Sequence, residues 1–519
     1  MGAAAMGYDT GVIGGTLALP SFRRDFGLDR ASQHERDTLS GNIVSTFQAG
    51  TFFGSLLTFP LVEKYGRKKG MLAAGFVFMI GAVLMTAANG HLGMIYAGRG
   101  VAGLGIGSAS LIIPVYIAEI SPPSIRGRLV GIFEILSQGG SMLGFWINYI
   151  MDRTVSPDTK TQWIIPLALQ MLPGLFLLIG AALAPESPRW LAKNDRWDQA
   201  RVHLDKLRQL PVDSEYVEAE LQGKANQDQI ENERLLAGSA GHSRWSGFKE
   251  LFMKGNRNRL AIGLTLMMCQ NMTGVNIITY YSPRIFETLG LTGTSTKLFA
   301  TGFYGVAKTL GMIIFSVWLV ERIGRRKGLI FGGFIGSLPM WYIGGYVFVA
   351  DPATKAAAGQ YTRNGWGYLA MVCVYLYGLI YCMTWQGITW VYCSEIFPIR
   401  IRMLCVALTT ADQWLWSFIV SRTTPYMITS LGYGTYFFFA SLMIVFGAWA
   451  YFFIPETKGK TLEDMDEIFG VPNIEHVRND GESSIRRTSG GYGDDLKPEV
   501  EQHEFSPGRK SEESVKRNE

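Results

Sequence analysis

Runs of about 20 apolar residues recur along this chain, and that spacing constrains its fold more than any other feature. A helix needs roughly 20 such residues to cross a bilayer. Twelve runs of that kind lie near 1–19, 43–62, 70–89, 92–117, 129–150, 164–184, 260–282, 298–320, 328–350, 367–393, 403–429 and 434–454. In lipid only helices and closed barrels satisfy every backbone donor and acceptor, and runs this long are helices. The expected fold class is an all-α membrane protein. Composition agrees: 48% of the 519 residues are hydrophobic and 18% are charged, against about 25% charge in a typical soluble protein. A net charge of +5 gives no reason to expect a nucleic-acid partner; the lipid bilayer is the expected one. All five cysteines fall inside apolar runs and show no metal or disulfide spacing. No metal and no cofactor is expected. The first run starts at Met1 without a basic segment before it, so no cleaved signal peptide is expected.

The chain repeats itself. "EKYGRKKG" (63–70) recurs as "ERIGRRKG" (321–328), "EISPPSIR" (119–126) as "EIFPIRIR" (395–402), and "PES" (185–187) as "PET" (455–457). Each half thus holds six spans with matching loops, an arrangement that defines the major-facilitator architecture, with substrate held near the midplane between the halves. The expected layout is an N-terminal six-helix bundle (1–184), a central helical segment (185–258), a C-terminal six-helix bundle (259–455) and a largely disordered tail (456–519). The basic loops "EKYGRKKG", "RGR" (126–128), "ERIGRRKG" and "RIR" (400–402) all join an even span to the next odd one. Basic loops stay in the cytoplasm, which places the central segment, the tail and both termini there.

These loops, with "GYDTGVIGG" (7–15), "AGRGVAGLGIG" (97–107), "PESPRWL" (185–191), "CQNMTGVNIITYYSP" (269–283) and "WVYCSEIFPIRIR" (390–402), resemble the sugar-porter branch of the major facilitator superfamily. Within it, "VGIFEILSQGGSMLGFWINY" (130–149), "FYGVAKTLG" (303–311), "WQGITW" (385–390) and "SRTTPYM" (421–427) are similar to fungal quinate permeases and sugar-acid carriers. The resemblance implies a multi-pass carrier, expected in the plasma membrane and as a monomer, whose partners are protons and a small polyhydroxylated acid or sugar. No enzyme activity is expected: the chain has no phosphate loop, metal cluster or nucleophile triad.

Six ionisable residues lie deep inside spans: Asp9, Arg99, Glu134, Lys308, Asp412 and Arg422. A charge at a helix centre costs about 2.5–3.5 kcal/mol on insertion scales, so such residues pair or mark a transport path. The resemblance implies that Asp9 and Arg99 form the proton-coupling pair: the carboxylate stays ionised beside arginine and takes a proton when the helices part. A fixed ion pair is the plainer alternative. Lys308 has at least ten residues of its span on either side, roughly 15 Å of helix. Its stem covers roughly 6 Å, too little to snorkel to water. It shares a helix face with Thr301, Tyr304 and Gly305 that is expected to meet the cavity. Its partner is either Glu134 or Asp412, as a permanent pair, or the carboxylate of an anionic substrate.

The resemblance further implies that Gln270, Asn271 and Asn276 bind the polyol, with Glu134, Gln138, Lys308, Thr309, Trp390 and Gln413 completing the site. Residues 270 and 276 do not share a face of an unbroken helix, and Gly274 between them allows the helix to loosen. The tenth span lacks the family's proline-bracketed motif, having Gly387, Ile388 and Thr389 before Trp390. Glu63, Arg67, Glu119, Arg126, Glu186, Arg189, Glu321, Arg325, Glu395, Arg402 and Glu456 match the family's inner gate and are expected to lock the two halves together on the cytoplasmic side when the carrier faces out. The leading reading is a proton symporter for quinate or a sugar acid such as galacturonate. The alternative is a neutral hexose or pentose carrier with Lys308 and Glu134 as a structural pair.

Overall fold

The computed structural model describes residues 1–122, 126–208, 250–253, 255–358, 365–398, 401–458, 465 and 468–469, the side chains of 126–128, 321 and 357 excepted. Most of the expected central segment and tail therefore lies outside the described residues. Residues Met1–Val471 form one compact unit, and Pro472–Glu519 lie outside the description.

Among the described residues every regular element is helical. The spans are α1 (Gly2–Thr16), α2 (Gln33–Tyr65), α3 (Arg67–Thr86), α4 (Leu92–Ile120), α5 (Arg126–Thr154), α6 (Thr161–Leu183), α7 (Asn256–Thr288), α8 (Thr294–Leu319), α9 (Arg325–Ala350), α10 (Gly365–Glu395), α11 (Arg402–Leu431) and α12 (Gly434–Phe453). Ten of them are long and apolar enough to cross a membrane. The exceptions are α1, with 15 residues, and α2, whose first turns are polar. Most helices outrun their apolar runs, because polar residues at their ends continue the helix. At the start of α2, Ser32 Oγ accepts from the Glu35 N–H (3.4 Å) and the Glu35 carboxylate accepts from the Ser32 N–H (2.8 Å), a capping box.

The packing carries the sequence repeat into three dimensions. In the first half α1 lies on α5, α2 on α4, and α3 on α4 and α6. In the second half α7 lies on α11, α8 on α10, and α9 on α10 and α12. The glycines of α4 bring α2 close enough that a Cβ on Gly103 would sit 2.3 Å from the Phe47 carbonyl. Small residues at such crossings are what membrane helices use in place of a hydrophobic driving force. Large side chains such as Phe53, Leu57, Phe331 and Phe452 point outward, as lipid permits. Between the halves, α2 packs on α11, α5 on α8 and α1 on α7. The loops joining α2–α3 and α8–α9 share one face, hereafter the basic face; the α1–α2 and α11–α12 loops lie on the far face.

Candidate functional site

Two charge clusters sit on the basic face, one in each half, built alike. Arg67 holds Glu119 with two hydrogen bonds (3.0 and 2.9 Å), and Ser187 Oγ donates to the same carboxylate (2.6 Å). Arg325 holds Glu395 likewise (3.3 and 2.7 Å), with Thr457 Oγ1 in the place of Ser187 (2.9 Å). Glu186 accepts the free N–H groups of Arg67 and Lys68 that open α3; Glu456 accepts those of Arg325 and Arg326 that open α9. A carboxylate at a helix N-terminus satisfies unpaired donors and meets the positive end of the dipole. This explains both repeated "PE" motifs. Glu63 lies 3.7 Å from Arg67 and accepts from Lys193 (2.7 Å), and Arg402 donates to the Phe397 carbonyl. Arg189 belongs to the short helix Pro188–Lys193; the side chains of Arg126 and Glu321 lie outside the described residues. In the arrangement described here each described ion pair of this set joins parts of the same half. The inner ends of the halves meet instead through apolar contact, Leu111, Ile112 and Tyr116 of α4 against Met403 and Ala407 of α11.

Among the described residues, an ion pair that does join the halves was not foreseen. On the far face Arg284 of α7 donates to Asp37 of α2 (2.7 Å) and to Thr429 of α11 (2.6 Å), and Thr429 donates to Asp37 (2.6 Å). Thr38 and Tyr426 hydrogen-bond beside it (2.9 Å). A cavity of 420 Å³ lies against this latch, lined by Arg23, Arg36, Glu287, Tyr280 and Tyr281 among others.

Within the first half, Arg99 Nη1 meets Asp9 Oδ2 at 2.8 Å, both side chains fully buried. Arg99 Nε donates to the Ile43 carbonyl (3.1 Å), and its guanidinium lies 4.4 Å from the Phe47 ring centroid.

At the centre, α7 breaks where the sequence suggested. Its helix ends at Met272, Gly274 takes a left-handed conformation (φ 92°), and a second helix starts at Val275. The break brings Asn276 Nδ2 to Asn271 Oδ1 (2.9 Å), while Asn276 also reaches Ser417 of α11 (3.3 Å). Gln270 Nε2 donates to the Gln386 carbonyl of α10 (3.4 Å). Gln138, Gln270 and Gln413 each keep a side-chain oxygen without a partner among the described residues. Trp390 is half-buried against the core. Thr309 turns its hydroxyl back onto the Gly305 carbonyl of its own helix (2.9 Å), so it is not aimed at the other site residues.

Lys308 is buried, 5% exposed. Its ammonium donates to Thr279 Oγ1 of α7 (3.3 Å) and lies 5.7 Å from the Tyr304 ring centroid. Among the described residues no carboxylate comes within ion-pair distance of it. Glu134 is buried too, but its carboxylate accepts from Gln386 Nε2 of α10 (3.0 Å). The permanent Lys308–Glu134 pair offered as one reading is absent here. The shared face of Thr301, Tyr304 and Gly305 is also buried: Gly305 sits against Met142 and Phe145 of α5, so part of that face packs rather than lines a cavity. Sequence reasoning missed Thr279 and Gln386. The signal for Gln386 was present in "WQGITW", where a polar amide stands before a glycine at the middle of a span.

In place of the proline-bracketed motif, α10 takes a π-turn at Cys382–Gln386, and α8 takes another at Phe315–Leu319. The two meet where the Phe315 ring covers Gly387, so closely that a Cβ there would lie 2.1 Å from the ring. Single π-turns inside helices concentrate at functional sites.

Comparison with known proteins agrees with this architecture. A family model described as "Sugar (and other) transporter" matches residues 1–469. A probable quinate permease of Aspergillus clavatus is 44% identical, covering 90% of this chain and 86% of that one; one of Aspergillus niger is 42% identical, covering 89% and 85%. The solved structure of the proton:xylose symporter XylE bound to 6-bromo-6-deoxy-D-glucose superposes with a TM-score of 0.73 at 26% identity, covering 90% of this chain and 97% of that one. A partially occluded inward-open form of XylE from E. coli gives 0.72 at 25% identity, covering 89% and 97%. The chain belongs to the sugar (and other) transporter family of the major facilitator superfamily.

Proposed function

We propose that this carrier imports quinate or a related sugar acid such as galacturonate together with protons, by alternating access, as a monomer in the plasma membrane with its basic face and both termini in the cytoplasm. The observation that carries the acid reading is Lys308: a cation at the midplane whose only hydrogen-bond partner among the described residues is a neutral hydroxyl. A buried charge with no carboxylate in direct contact is costly. A substrate carboxylate arriving at this point supplies that charge, and the amides of Gln270, Asn271, Asn276, Gln138 and Gln413 offer donors and acceptors to hydroxyl groups. The names of the relatives point the same way.

Asp9 and Arg99 are the coupling pair in this reading. Asp9 is the member of the pair that can titrate, since arginine keeps its proton. When α1 and α4 shift during the change of access, the separated carboxylate takes a proton and releases it on the other side. The test is uptake of labelled quinate, galacturonate and xylose in cells lacking other carriers, with and without a protonophore. Lys308→Gln removes a charge-assisted contact worth about 1.5–3 kcal/mol, so acid uptake at low concentration falls about 10- to 100-fold while xylose uptake changes little. Equal loss of both favours a neutral-sugar carrier, a reading supported by the amide cluster and by the likeness to a xylose symporter.

A further inference from the structure

Lys308 and Glu134 are opposite charges, both buried, yet they form no ion pair with each other among the described contacts. One helix, α10, touches both. Gly378 lies against the Lys308 stem, where a Cβ would come within 3.2 Å of Lys308 Cγ. Two turns further on, Gln386 Nε2 donates to Glu134 Oε2 at 3.0 Å. Gly378, Cys382 and Gln386 therefore mark one continuous face of α10 that touches the lysine at one end and the glutamate at the other. The π-turn Cys382–Gln386 lies between these two contacts. A π-turn inserts one residue into the helical register, and here it ends on Gln386 itself. The backbone carbonyl of Gln386 is tied to Gln270 of α7 (3.4 Å), and Gly387 is clamped by Phe315. The amide is thus anchored from both sides of its own peptide segment.

We propose that Gln386 is a positioning residue for acid recognition: it holds the Glu134 carboxylate off Lys308 and so keeps the ammonium open to the carboxylate of the cargo. This rests on the acid reading above. The chemistry is a competition. Two carboxylates, one from the protein and one from a polyhydroxylated monoacid, are candidates for a single ammonium, and the tethered one has the higher local concentration. Without a second partner Glu134 wins and the carrier has no free cation for its substrate. An amide is suited to the task, since it donates to a carboxylate but brings no charge of its own into the site. The same contact crosses the two halves, α5 to α10, so the cation is kept open in the closed arrangement of the helices described here.

The competition makes an epistatic prediction that a merely structural role for Gln386 does not. In detergent-purified carrier, the concentration of quinate giving half of the maximal thermal shift is measured for the unaltered protein, Gln386→Leu, Gln386→Met, Glu134→Gln and the two double variants. Gln386→Leu and Gln386→Met raise that concentration at least ten-fold. In the Glu134→Gln background the same substitutions change it less than three-fold, because no carboxylate remains to occupy Lys308. Equal effects of the Gln386 substitutions in both backgrounds overturn the proposal, as does loss of quinate binding in Glu134→Gln alone, which makes Glu134 a direct cargo contact. A Gln386 variant too unstable to assay singly is still decided by whether Glu134→Gln restores its folding and binding together. Absence of any quinate shift in the unaltered carrier, with Lys308→Gln behaving identically, overturns the acid reading and this role with it.

Discussion

Asp9 and Arg99 show what a single pair of residues can and cannot hold. Their contact is short and fully buried, yet Asp9 Oδ1 and Arg99 Nη2 have no partner among the described residues. The pair is joined by a single hydrogen bond, so one contact is broken when the helices that carry it part. Asp9→Asn keeps the shape and removes the titrating group. It abolishes accumulation against a gradient, while exchange of labelled for unlabelled substrate persists. Normal accumulation by that variant ends the coupling role. The depth of Lys308 was legible from counting residues, because a lysine stem is shorter than the half-span around it. Its partner was not: Thr279 lies on another helix, beyond a break whose angle no spacing encodes.

At the scale of the element, the informative features are interruptions. Gly274 was readable as a weak point because no straight helix aims residues 270 and 276 alike, and the break is where that argument put it. Alanine at this position must adopt φ near 92°, which costs an L-residue about 1–2 kcal/mol. Its Cβ would also stand 2.9 Å from the Phe439 ring. Gly274→Ala therefore lowers the Tm of purified carrier by about 2 °C or more, and it raises KM for acidic and neutral substrates alike, because it parts Asn271 from Asn276. An unchanged Tm and KM would show that the break is not held by this residue. The π-turns of α8 and α10 were not legible. The missing proline motif showed that α10 departs from the family pattern; the π-turn itself ends where Gln386 meets Glu134 and Phe315 covers Gly387.

Among the described residues the halves are joined on the far face by an ion-pair knot, Asp37–Arg284–Thr429, while the described charge clusters of the basic face stay within their own halves. Alternating access requires the far contacts to open. Asp37 is 3% exposed in its side chain, and losing a charged hydrogen bond of that kind costs about 1.5–3 kcal/mol. Asp37→Asn shifts the population toward the far-face-open form about ten-fold or more. A cysteine placed at Ser421, which lies buried against Gln48 and Tyr281, reports this: its labelling by a membrane-impermeant thiol reagent applied to the far face rises accordingly. The native cysteines are buried and give little background. Labelling unchanged by Asp37→Asn would mean that the knot is not what keeps this face shut.

The sequence by itself determined the membrane, the twelve spans, the twofold repeat and the family, because hydrophobic length and loop charge are local and additive along the chain. It also singled out the buried charges, since any ionisable residue in an apolar run stands out. The tertiary structure decided which charges meet. It paired Asp37 with Arg284 across the halves, confined the basic-face clusters within them, and gave Glu134 to Gln386 rather than to Lys308. Partner choice depends on helix crossing, register and a few ångströms of approach between segments far apart in the chain, and Coulomb attraction at close range is settled only when those distances are.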